Sequence, residues 1–114
     1  MATKVDLTFV EGSAETVAFT IVPTDADDDL TAVASLRFTL KADGCIDDDD
    51  AELTFTTADP TQMQILTQTA AQITGEVYVP PLDEAYRRLY HIDAVSSTGT
   101  PRTALYGRVT VINL

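Results

Sequence analysis

The sequence predicts an all-β domain of the sandwich type, and three observations carry that prediction. Apolar and polar residues alternate in short runs, as in Ala34-Ser35-Leu36-Arg37-Phe38-Thr39-Leu40, the period of two that a strand with one buried face requires. The apolar residues are mostly Val, Ile, Leu, Phe and Tyr interleaved with many Thr, side chains that suit a pleated, half-buried surface. Clusters of Gly, Pro, Asp and Ser punctuate the runs at intervals of about eight to twelve residues. With 114 residues, 45% of them apolar, the chain is expected to form one domain, 1–114, around a core of its own.

The elements follow in order. Val5, Leu7 and Phe9 alternate with Lys4, Asp6 and Thr8 as a first strand, and Glu11-Gly12-Ser13 turns the chain. Val17, Phe19 and Ile21 then share one face of a second strand that Pro23 ends. These two strands are expected to be neighbours. After the acidic loop Asp25-Ala26-Asp27-Asp28-Asp29, the run around Leu36, Phe38 and Leu40 is the third strand. A second acidic loop, Asp43 to Asp50, leads to Leu53-Thr54-Phe55-Thr56, with Leu53 and Phe55 facing in. Gln64-Ile65-Leu66-Thr67 and Ile73-Thr74-Gly75-Glu76-Val77-Tyr78-Val79 follow, with Gly75 a weak point in the second pattern.

Pro80-Pro81 stops that strand, and Leu82 to Leu89 predicts one short helical turn, near 82–88. The closing third reads as a hairpin. Tyr90, Ile92 and Ala94 alternate with His91, Asp93 and Val95, Ser96 to Pro101 forms the turn, and Thr103 to Ile112 returns. About seven to eight short strands so arranged predict an immunoglobulin-like antiparallel β-sandwich, with a small closed barrel as the alternative. Gly107 in the last strand marks a bulge, a close backbone approach or a kink where the strand changes sheets, and the kink is the expected reading.

Charge and composition narrow the function. A formal charge of -11 opposes binding to a phosphate backbone that Lys and Arg normally neutralise, so nucleic acid is not an expected partner. Cys45 and His91 are the single Cys and His, too few for an intrachain disulfide or a Cys/His zinc centre. The N-terminus lacks the apolar run of a signal peptide and no stretch reaches membrane-spanning length, so the expectation is cytoplasmic synthesis without export and no membrane partner.

Several short motifs, in order along the chain, carry a family resemblance: Glu11-Gly12-Ser13, Asp29-Leu30-Thr31 before Leu36-Arg37-Phe38, Gly75-Glu76-Val77-Tyr78-Val79, Tyr90-His91-Ile92-Asp93 and Leu105-Tyr106-Gly107-Arg108-Val109-Thr110-Val111. In these the chain resembles the immunoglobulin-like domain found at the N-terminus of phage baseplate upper proteins and in related tail and fibre proteins. Ala32 stands where such domains often have Gly, and Ile92 where they have an aromatic residue. The resemblance implies a non-enzymatic bacteriophage virion structural protein, assembled in the host cytoplasm, whose partners are other virion proteins and copies of itself. Baseplate proteins of this kind continue into a fibre or receptor-binding region. The end of this chain at Leu114 therefore favours a small accessory subunit, in the tail or baseplate or as a decoration (cement) protein on the capsid.

Candidate sites are few. Hard cations prefer several carboxylate oxygens, so the two Asp-rich loops suggest Ca2+. The strand between them holds them about 30 Å apart, however, and neither carries the spaced ligands of an EF-hand loop. Solvated acidic loops are the expectation, with Asp47, Asp48, Asp49 and Asp50 the residues a calcium site would use, and no cofactor is expected. Cys45 lies among aspartates that disfavour its thiolate. His91 and Asp93 share a strand face and can pair, but no nucleophile motif accompanies them, and no catalytic residue is assigned. Tyr86, Arg87, Arg88 and Tyr90 combine residue types enriched at interface hot spots and form the candidate interface. Exposed edges, expected in the first strand, the last strand or the N-terminal segment, offer a second docking route. A small ligand-binding module, holding carbohydrate or Ca2+ in its end loops, is the alternative, weakened by the absence of Trp and the presence of only four Tyr.

Overall fold

Each alternating run except the first forms one strand in the computed structural model, which describes residues 3–23, 29–42, 52–82 and 88–113. The first is broken at Val5-Asp6, where Val5 is exposed instead of sharing a buried face with Leu7 and Phe9. The strands are β1 (Thr3–Lys4), β2 (Leu7–Val10), β3 (Glu15–Ile21), β4 (Val33–Ala42), β5 (Leu53–Thr56), β6 (Met63–Gln68), β7 (Ile73–Val79), β8 (Arg88–Ser96) and β9 (Pro101–Ile112). The only helical element among the described residues is a 3₁₀ turn at Leu30–Ala32. Asp29 caps it, its carboxylate accepting from the Thr31 backbone N–H at 2.9 Å and the Thr31 hydroxyl at 2.6 Å. Of the expected helical turn, Leu82 is buried outside any helix and Arg88 already begins β8; residues 83–87 lie outside the described residues.

Two sheets face each other across the core. One has six strands, with β9, β8, β4 and β5 side by side and β1 and β2 both pairing with β9; the other is β3-β7-β6. The described strands thus form a two-sheet β-sandwich. The sandwich is antiparallel except at one margin, where β1 and β2 run parallel to β9. Leu36, Phe38 and Leu40 of β4, Ile73 and Val77 of β7, and Met63 are wholly buried between the sheets. Phe38 sits at the centre, 5.8 Å from the Tyr90 ring and 6.3 Å from Phe55.

The first two strands are not neighbours. β2 pairs with β9 from Leu7↔Val109 to Val10↔Ile112, whereas β3 pairs with β7 in the opposite sheet. The Glu11 N–H donates to the Ile112 carbonyl at 2.8 Å and the Gly12 N–H to the Leu82 carbonyl at 3.0 Å, so the turn crosses between the sheets instead of closing a hairpin. That crossing lets Phe9 and Phe19 both bury against the shared core.

The two glycines set inside strands have packing roles. Gly107 is not a kink where a strand changes sheets: β9 stays in one sheet throughout, and its register irregularity falls opposite Ile92/Asp93 instead. A Cβ at Gly107 would run into the Val5 carbonyl, so its absence is what lets the Val5-Asp6 crossing lie on β9. Gly75 does not weaken β7; a Cβ there would stand 2.7 Å from the Phe19 ring and 2.6 Å from the Gln64 carbonyl, so glycine makes room for that ring.

Candidate interface and strand edges

The expected interface residues do not form an exposed patch. In β8 the inward positions are Arg88, Tyr90, Ile92 and Ala94, two residues apart, and strand alternation carries Arg88 and Tyr90 into the protein. Tyr90 is 4% exposed, stacks on Phe38, and donates its hydroxyl hydrogen bond to the Val5 carbonyl. Burial, followed by the nearby Asp6 carboxylate, raises its phenol pKa to about 12. Arg88 is 1% exposed, and its guanidinium grips Glu52 through two bonds, Nε to Oε2 at 2.7 Å and Nη2 to Oε1 at 3.3 Å. A charge buried to that degree needs such a partner. Arg88 and Tyr90 are therefore architectural, and Tyr86 and Arg87 lie outside the described residues.

The outward face of β8 carries a polar row. Asp93 stands beside Arg37 of β4 and, because of the register shift, beside Thr103 of β9. Its carboxylate accepts from Arg37 Nη2 at 2.7 Å, Thr103 Oγ1 at 2.9 Å and His91 Nδ1 at 3.0 Å. Burial pushes this carboxyl up, but the bonds from His91, Arg37 and Thr103 outweigh it and hold its pKa at about 2. The His91-Asp93 pair read from the strand alternation is present; Arg37 and Thr103 come from other strands, and no local pattern announces them. Chemically the row is an anchored carboxylate. The Thr103 hydroxyl donates to Asp93, and that geometry locks three strands in register.

Metal ligation finds no support in the described residues, among which no group of three or more His, Cys, Asp or Glu side chains is placed to hold an ion. Cys45 and Asp47, Asp48, Asp49 and Asp50 lie outside them, and of the first acidic cluster only Asp29 is described. Its carboxyl pKa is lowered by the two Thr31 bonds. No helix among the described residues is long and apolar enough to cross a membrane.

Two concave features flank the core. At one end a cleft of about 290 Å³ is lined by Ile21, Val22, Leu30, Val33, Ala94 and Ala104, with Asp29 and Arg102 among its polar neighbours. Along one side a narrower slot of about 190 Å³ opens between the sheets, bordered by Val5 and Leu7 on one edge and Val17 and Phe19 on the other.

The strand edges differ from those expected. The last strand, β9, is covered on its outer side by β1 and β2 from Leu105 to Ile112, which leaves only its first four residues, beginning at Pro101, as a short edge among the described residues. The first strand is an edge but an interrupted one. Between β1 and β2 the Val5 carbonyl accepts from Tyr90, and Asp6 Oδ1 accepts from the Arg108 N–H at 3.0 Å. β5 has only four residues. β6 carries a register shift between Ile65 and Thr67, and the side chain of Gln68 at its end is tied to the Leu30 and Val33 carbonyls. β3 alone among the described edges is regular, pairing with β7 without a break from Glu15↔Val79 to Ile21↔Ile73. No protein-family model matches the chain, and no curated protein matches it.

Proposed function

We propose that this domain is a non-enzymatic assembly module that binds other proteins through its sheet margins, acting in a bacteriophage virion as a tail or baseplate component or as a capsid decoration protein. The observation that carries the binding mode is the unprotected β3 edge: edges of this kind template pairing with another chain, and folded proteins ordinarily blunt them. The virion setting rests on the motif resemblance described above. The buried roles of Arg88 and Tyr90 shift the binding surface from that segment to the edges and loops.

Quantitative mass spectrometry of purified phage particles tests this reading. The protein is expected at stoichiometric level; hundreds of copies per particle indicate capsid decoration, and about a few tens indicate the tail, in line with the symmetry of each assembly. Absence from particles refutes the virion setting.

The end cleft favours a second reading, a small-ligand module. Its described lining is mostly apolar, with Asp29, Arg102 and three hydroxyl side chains at the rest of its wall and no aromatic ring on which a sugar would stack, so a mainly apolar ligand suits it better than a carbohydrate. A thermal-shift screen of small apolar compounds tests it; a saturable rise in melting temperature, abolished by Ala94→Trp, supports this alternative.

A further inference from the structure

We propose that the β3 edge and the slot beside it form one docking site, taking an extended segment of a partner chain that pairs with β3, inserts an apolar side chain into the slot, and presents Lys or Arg outward. The inference deepens the assembly reading and rests on it for the kind of partner.

The geometry supplies the first part. β3 runs seven residues without Pro, bulge or Lys/Arg, and its outward side chains Thr16, Ala18 and Thr20 are exposed and neutral. Edges are ordinarily protected by Lys, Pro, bulges or brevity, and each of the other margins shows shortness, a bulge or a diverted carbonyl. Among the described residues β3 pairs only with β7, so the opposite row of N–H and C=O groups faces away from the described strands, toward an incoming strand.

The slot supplies the second. It lies between the same strand and the interrupted β1–β2 margin, and its floor is the core itself: Phe38, Val77, Tyr90, Ile92 and Leu105. Its 190 Å³ exceeds the roughly 150 Å³ cavity that holds a benzene when lined by comparable side chains. One Leu, Ile or Phe side chain fits. A strand laid against β3 sends alternate side chains toward the slot and the rest outward, so pairing and insertion occur together.

Charge chooses the occupant. The chain bears -11 overall, Glu15 opens β3, and Glu76 stands beside Ala18 on the same outward face. An incoming strand's outward residues would lie about 10 Å from Glu76, two strand spacings away, within reach of a long cationic side chain. A second copy of this chain would bring the same negative field to the edge, and like charges across an interface are penalised. The fitting partner is an extended segment alternating apolar and basic residues.

The probe is a synthetic peptide alternating Val and Lys over the seven-residue length of β3, titrated into the ¹⁵N-labelled protein at physiological salt beside a block-sequence peptide of identical composition. The expected result is amide shifts concentrated in Glu15–Ile21 and at Val5 to Leu7, with the block peptide and the Ala18→Lys variant each about tenfold weaker. Thr20→Lys places the same charge elsewhere on the edge should Ala18→Lys perturb the spectrum of β7. Shifts centred on other residues, equal binding of the block peptide, or undiminished binding by both Lys variants would overturn the proposal. If the protein is found in particles while β3 ignores the peptide, the edge is lost and the assembly reading stands. If β3 binds the peptide and the protein is missing from particles, the virion reading is lost and the edge stands.

Discussion

The six-stranded sheet and the three-stranded sheet share one core yet finish their margins in opposite ways. In the larger sheet, polar side chains pin strand to strand: Arg37, Asp93 and Thr103 tie β4, β8 and β9, and Arg88 holds Glu52 just before β5. Asp6 and Val5 then seal the outer edge by folding backbone and side chain onto β9 and Tyr90. In the smaller sheet, Gln64 to Tyr78 and Thr67 to Thr74 tie only β6 to β7, with Tyr78 to Glu76 along β7 itself, while β3 keeps a bare edge. Closed margins spend side chains on register, because a slip of one residue would turn a strand's buried face outward. An open margin leaves backbone groups available to a partner. The larger sheet thus specifies the fold, and the smaller one carries the surface on which binding is proposed.

The widest separation between the sheets is expected from truncation at the centre compared with the periphery. Phe38→Ala, at a side chain with no exposure, should cost about 3–5 kcal/mol in denaturant unfolding. Leu66→Ala on β6, where the side chain is 51% exposed, should stay within about 0.5 kcal/mol. Similar losses at both would mean that the smaller sheet is as tightly packed at its rim as the larger is at its centre.

The polar row comes next. Asp93→Ala removes the carboxylate that Arg37, Thr103 and His91 share and should cost about 2–3 kcal/mol, less than for a fully buried pair because Arg37 reaches solvent. The pH dependence has a definite sign. The folded pKa of Asp93 is about 2, below the ordinary 3.8, so its contribution is complete above pH 4 and drains as the pH falls toward 2. By linkage it amounts to about 2 kcal/mol. Stability curves of the parent and Asp93→Asn measured from pH 6 to pH 2 should converge at the acid end; parallel curves would show that the row does not hold the sheet. A smaller effect, about 1–3 kcal/mol from overpacking, is expected of Gly107→Ala, with fluorescence or NMR reporting the displacement of β1 and β2 from β9.

Much of this architecture was legible in the alternation of residues. The runs that became β7 and β8 assign their inward sets correctly, and so does β4 at Leu36, Phe38 and Leu40, because period two is a local property of the backbone. Ala34, expected inward with them, is exposed because a register shift between Val33 and Ser35 breaks the alternation. Even the burial of Arg88 was available, since it shares parity with Tyr90 and Ile92; reading 82–88 as a helical turn began the strand too late and hid it. What alternation cannot encode is which strand lies beside which. The parallel pairing of β2 with β9 joins residues about a hundred positions apart, and the placement of β3 in the other sheet depends on a turn whose bonds go to Leu82 and Ile112. Edge status follows from that pairing, so the bare edge emerged only with the topology. The Asp93 row was half visible for the same reason: His91 is two residues away, whereas Arg37 and Thr103 arrive from neighbouring strands.

Amide hydrogen exchange of the protein, free and within purified particles, tests the central claim most directly. In the free protein the outward-pointing amides of Glu15–Ile21 should exchange rapidly while those of β8 and β9 are protected; in particles the β3 amides should become protected as a partner strand covers them. Unchanged exchange at β3 on incorporation, with protection gained elsewhere, would contradict the account.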